Sequence, residues 1–200
     1  MNYLAHTYLS GDDPEILVGN FMGDFVRGAE YLNFPDQIQQ GIMLHRNIDW
    51  YTDSNPVTKE CKKIFAPKYH KYSGVITDIL FDHFLAKDWE VFHDTSLNDY
   101  TEWVYDILLS HFEMLPLSAQ KFLPGFFAGR WIEKYESVDG FGKVLEGMSK
   151  FTSLPAESEW ATEMLRQNYS LLRFHFYDFF PGIIDYVQDK FQVSIRKSSG

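Results

Sequence analysis

A single cysteine, Cys61, stands in a chain of 200 residues. That excludes an internal disulfide and a thiolate-rich metal cluster. It also suits a reducing compartment, so the expected location is the cytoplasm. Apolar runs are short, and none approaches the ~20 residues that a membrane span requires. The opening MNYLAHTYLSGDD has no basic n-region and turns acidic quickly, so no secretory leader is expected. Basic residues are scarce too: 18 Lys and Arg face 28 Asp and Glu, for a net charge of −10. That balance argues against a general nucleic-acid binder. The sequence also lacks alternating strand patterns, internal repeats, a glycine-rich phosphate loop leading into a lysine, and a nucleophilic serine elbow.

What is present is a helical pattern rich in aromatic residues. Hydrophobic residues make up 45% of the chain and aromatic residues 18%, enough for one sizeable core. The expected class is all-α, a single multi-helix bundle over residues 1–193 with a disordered tail at 194–200. A short helix is expected over 2–10. The next starts at Pro14, capped by Asp12 or Asp13, and runs to Arg27. Gly19 and Gly23, one turn apart on it, allow close helix contact. Further helices are expected from Pro35 to Asn55, from Pro56 to Phe65 and from Gly74 to Phe92. The next two are expected from Ser96 to Leu115 and from Ser118 to Tyr135, the latter interrupted near Pro124. A short helix near Phe141–Met148 then precedes a long one from Pro155 to Phe180, which Pro181 breaks or kinks.

Polar residues interrupt two of the inward stripes. In the Pro35 helix the buried line reads Ile38, Ile42, His45, Asp49, Thr52, each step three or four residues. In the Gly74 helix it reads Val75, Asp78, Asp82, Ala86, Trp89, with His83 beside it. Burying a carboxylate is costly unless it is paired or bound to a metal. Histidine nitrogens and carboxylate oxygens without thiolates suit Mn²⁺, Fe²⁺, Mg²⁺ or Zn²⁺. Such an ion can lower the pKa of a water and stabilise charge on phosphoryl oxygens. Arg27 and Arg46, next to candidate ligands, would complete a phosphate grip. His6 lies in the apolar NYLAHTYL, either as a core histidine donating to a carbonyl or as a ligand. Asp24 either pairs with Arg27 or joins the site. Between Lys59 and Lys71 five lysines (Lys59, Lys62, Lys63, Lys68, Lys71) oppose Glu60 alone, forming a solvated helix end or a steering patch for an acidic partner.

The ordered strings NYLAHTYLS, GNFMGDFVRG, GIMLHRNIDWYTDSNP and SGVITDILFDHFLAKDW together resemble the acyl carrier protein phosphodiesterase family. The resemblance spans residues 1–90 and continues weakly through GFGKVLEGMSK and the last aromatic helix. It implies an all-helical fold distantly like the HD-domain metal phosphohydrolases. It also implies hydrolytic removal of 4′-phosphopantetheine from holo acyl carrier protein with a divalent ion, Mn²⁺ first and Fe²⁺ or Mg²⁺ as alternatives. Carried over by motif, the metal ligands would come from His6, Asp24, His45, Asp78, Asp82 and His83. Asp24, His45 and Asp82 would be the catalytic members, and Arg27 and Arg46 would hold phosphate. The acidic carrier protein gives the lysine patch a partner. Two departures stand out: KYHKY replaces an arginine-rich stretch, and MSKFTSLP lacks a further arginine, so the bidentate fork is lost there. Two other readings of the same residues remain. One is an HD-like phosphohydrolase of a nucleotide or other small phosphodiester, and the other a non-catalytic helical protein whose inward acids pair with arginines.

Overall fold

The computed structural model describes residues 1–195. Among them there are helices and no strands. The α-helices are α1 (Tyr3–Tyr8), α2 (Pro14–Phe21), α3 (Asp36–Ser54), α4 (Pro56–Tyr69), α5 (Ser73–Lys87), α6 (Trp89–Phe92), α7 (Leu97–Ser110), α8 (Leu117–Ala128), α9 (Trp131–Lys134), α10 (Val138–Phe151), α11 (Ser158–Gln167) and α12 (Tyr169–Phe191). No helix among the described residues is long and apolar enough to cross a membrane.

Side-chain caps set the starts of four helices. The Asp13 carboxylate accepts the N–H groups of Glu15 and Ile16, and Pro14 occupies the first turn of α2. Asn55 caps α4 ahead of Pro56, while Ser96 and Ser137 cap α7 and α10. α1 has no side-chain cap of its own.

The crossing of α2 over α3 fixes the geometry that follows. A Cβ on Gly19 would run into the Ile38 carbonyl oxygen, and one on Gly41 into the Ile16 carbonyl oxygen. Two glycines therefore bring the helix backbones into direct contact. α12 packs over α3, α4 and α5, and supplies Phe176, Phe179 and Phe180 to a core shared with Phe81 and Phe84. Each such ring stabilises the fold by roughly 1.5–3 kcal/mol through burial alone. Cys61 lies in the same interior, where burial pushes its thiol pKa up to about 12 and makes it inert.

Several expected boundaries move. Pro67, Pro124 and Pro181 all lie inside helices rather than ending them. A proline forfeits one backbone hydrogen bond, and packing on both sides of it can carry the helix through. Around Pro181 that packing comes from Phe179, Phe180, Ile183 and Ile184, all buried. The long carboxy-terminal helix breaks instead at Asn168, between α11 and α12. Of the expected tail, the described residues Ser194 and Ile195 are packed: Ile195 is buried, as is Val193 before it, and Gly11 packs on the Ser194 carbonyl. Residues 196–200 lie outside the described residues.

Candidate metal centre

Four side chains from three stretches of chain converge: His6 on α1, Asp24 in the tight turn after α2, and His45 and Asp49 on α3. Asp49 bridges the two histidines, with Oδ1 3.2 Å from His6 Nε2 and Oδ2 3.2 Å from His45 Nε2. Asp24 Oδ1 lies 3.3 Å from the same His45 nitrogen. The imidazoles stack with centroids 4.1 Å apart. Both rings are buried, whereas Asp24 and Asp49 are partly open to solvent. His6, His45 and Asp49 present ligand atoms within 4.8 Å of one another.

Asn20, fully buried on α2, orients both rings. Its side-chain oxygen accepts from His6 Nδ1 at 2.8 Å, and its backbone carbonyl accepts from His45 Nδ1 at 2.8 Å. Its amide nitrogen is spent on the His6 carbonyl and Ser10 Oγ, which fixes the direction of the amide. Each histidine thus carries its proton on Nδ1 and turns Nε2 towards carboxylate oxygen. A lone pair facing a carboxylate at that distance needs a proton or a cation between them.

The titration behaviour of the group follows from this geometry. Burial opposes charge on His45, but hydrogen bonds to Asp24 and Asp49 and the field of both carboxylates outweigh it, and its pKa rises to about 9. Burial and the neighbouring His45 push His6 the other way, below its usual value. Asp49 and Asp24 fall below the ordinary carboxylate range despite burial, because the histidines hydrogen-bond them. Two rings stacked this closely do not both hold a proton comfortably. The centre is built to share positive charge among nitrogen and oxygen donors.

The group opens into a cavity of about 270 Å³, also lined by Tyr3, Thr52, Asp53, Asp78 and Met148. Thr52 Oγ1 is buried and has no hydrogen-bond partner. Two imidazoles and four acids around one cavity are a donor set that fits a cation.

Comparison with known proteins adds the family. The family model for acyl carrier protein phosphodiesterase matches residues 1–183. This chain belongs to the acyl carrier protein phosphodiesterase family. A protein of that name from Yersinia enterocolitica is 32% identical over 191 residues, covering 95% of this chain and 99% of that protein. One from Serratia proteamaculans is 30% identical over the same span, and one from Escherichia coli O6:H1 is 30% identical over 196 residues. No solved structure gives a significant match, so the HD-like kinship has no structural counterpart to stand on.

Within this family member, three of the six expected ligands meet: His6, Asp24 and His45. Asp82 does not join them. Its carboxylate accepts the N–H groups of Asn2 (3.1 Å), Leu4 (2.8 Å) and Ala5 (3.2 Å), so it caps α1 from α5. Burial still drives its pKa up to about 7, against the pull of those donors. His83 is also elsewhere, giving Nδ1 to the Tyr135 carbonyl at 2.7 Å and taking Tyr169 OH on Nε2 at 3.2 Å. Asp78 lines the cavity but pairs with the Met1 amino group at 2.7 Å. Neither expected arginine reaches the cavity. Arg46 donates to the Val26 carbonyl and sits over the Tyr31 ring, while Arg27 stands exposed beside Glu30.

The lysine patch is a single feature of α4 and the turn after it, but it is partly neutralised. Lys62 pairs with Asp53, Lys63 with Glu60 and Lys68 with Glu157, while Lys71 lies over Tyr72 and Lys59 is exposed. Through Asp53, Lys62 touches the rim of the cavity. Sequence reasoning put Asp49 and Thr52 on the correct stripe without assigning them to the centre. It missed Asn20, whose only signal is an amide in the apolar run ILVGNF.

Proposed function

We propose that this protein hydrolyses the phosphodiester between 4′-phosphopantetheine and the serine of holo acyl carrier protein, giving the apo protein and free 4′-phosphopantetheine. The reading rests on family membership together with one geometric observation. Two Nδ1-protonated histidines turn their Nε2 atoms onto Asp49 and Asp24 at the wall of a cavity.

His6, His45, Asp49 and Asp24 would hold a divalent ion. Two imidazoles with two carboxylates favour Mn²⁺ or Fe²⁺ over Mg²⁺, which prefers an all-oxygen shell, and Mn²⁺ is the proposed ion. When bound, the ion supplies Lewis acidity at phosphorus and lowers the pKa of water. The chain does the rest. Asn20 keeps both imidazoles in the ligating tautomer and orientation. Asp82 holds α1 in place and thereby His6. The α4 lysines attract the acidic carrier protein towards the rim, where Lys62 adjoins Asp53.

Asp24 and Asp49 face histidines rather than arginines, which supports this reading over one in which the acids serve only as partners of arginines. Incubation with holo acyl carrier protein and Mn²⁺, read by intact mass, tests the proposal. Loss of the prosthetic arm, abolished by chelator, is expected; an unchanged mass overturns it.

A further inference from the structure

Beside the metal centre lies a second, larger depression of about 630 Å³, walled by Phe25, Phe122, Phe126, Trp131 and Met148. It adjoins the cavity: Tyr3, Asp24 and Met148 line both. The geometry points to this groove as the seat of the pantetheine arm of the substrate. The inference rests on the phosphodiesterase reading and extends it by giving the substrate a direction. With phosphorus at the His6–His45–Asp49 centre, the arm runs past Tyr3 and Met148 into the groove. The carrier protein lies towards Asp53 and the α4 lysines, which meet the cavity through residues that do not line the groove.

Three observations carry it. The first is the change of chemistry from one depression to the adjoining one. The centre is acidic and polar, whereas the groove is aromatic, with Ser118, Lys121 and Thr152 at its margin. A linear ligand charged at one end, with alternating alkyl and amide groups beyond, matches that sequence of surfaces. The second is Gly125, in the interior of α8. A Cβ there would meet nothing within 4 Å, so no protein neighbour demands a glycine at a position where glycine weakens a helix. Its bare backbone face forms part of the groove wall and keeps the groove wide. The third is Phe151 at the groove edge, 86% exposed, a large apolar ring for which the protein supplies no cover.

Titration calorimetry with pantetheine, which has no phosphate and cannot be turned over, tests the assignment independently of hydrolysis. The wild-type protein should bind it. Gly125→Leu places a side chain in the groove without displacing any neighbour of its Cβ. It should weaken pantetheine binding at least about tenfold and raise KM for holo carrier protein far more than it lowers kcat. Phe151→Ser removes an exposed ring that cannot hold the fold together, and it should weaken pantetheine several-fold. Ser170→Leu, on the α12 surface away from the groove, should leave that binding unchanged. Absence of pantetheine binding to the wild type, or equal affinity in Gly125→Leu and wild type, overturns the inference. Pantetheine binding that is lost in Gly125→Leu, in a protein that leaves holo carrier protein intact, would keep the groove and remove the proposed reaction.

Discussion

Gly23 makes room for His45: a Cβ on residue 23 would fall on the imidazole ring of residue 45. The turn carrying Asp24 can therefore close over α3 only because residue 23 has no side chain. Gly23→Ala should push the His45 ring from its place between Asp24 and Asp49. Misplacement by about an ångström costs on the order of a hundredfold in rate. Turnover should fall by about that factor, while far-ultraviolet circular dichroism stays close to wild type. Full activity in Gly23→Ala would show that the ring has another position from which it works.

Asn20 touches both histidines and would touch no substrate. Asn20→Ala removes the acceptor of His6 Nδ1 and leaves the ring free to turn. Loss of such a supporting partner lowers metal affinity by roughly 10–100-fold. Titration of Mn²⁺ into the two proteins checks this, and equal affinity would mean that the tautomers are set by something else.

Asp82 and His83 provide a contrast with the centre. Their partners lie away from the metal-centre residues, so their loss should act on stability and not on metal uptake. Replacing a buried hydrogen-bonding group orphans its partners and costs about 1–3 kcal/mol for each. Asp82→Ala, which orphans three N–H groups at the start of α1, should lower the melting temperature of the metal-free protein. His83→Gln should also destabilise, yet keep Mn²⁺ binding. A His83→Gln protein of normal stability that had lost Mn²⁺ would return His83 to the centre.

Legibility differed between these two helices for a physical reason. On α3 the partners of His45 and Asp49 include each other, four residues apart, so helical periodicity alone exposed the pair. On α5 the partners of Asp82 are backbone amides, which every residue has and no sequence pattern marks. On the proposed reading the motif strings run through both helices because α3 would supply ligands while α5 holds α1, and with it His6, in place. A hint was available: α1 is six residues long and has no side-chain cap, so its N–H groups had to be satisfied from elsewhere. The helical class and the caps at Asp13 and Ser96 were readable from local chemistry. The passage of α4, α8 and α12 through their prolines was not, since it depends on packing against distant residues.

The lysines of α4 should act on association. Lys59→Glu with Lys63→Glu reverses two exposed charges, each worth about 0.5–1 kcal/mol to a surface contact. KM for holo carrier protein should rise about tenfold at low ionic strength, with little change in kcat. The difference should shrink as salt shortens the screening length towards ~8 Å at 0.15 M. A KM that is indifferent to both substitution and salt would place the carrier protein on another face.

The most direct test of the centre itself is Mn²⁺ uptake, followed by the loss of the free-ion paramagnetic resonance signal. Wild type should take up the ion, and Asp49→Ala, which removes the carboxylate shared by His6 and His45, should leave it free in solution. Equal uptake by the two proteins, or none by the wild type, would contradict the account.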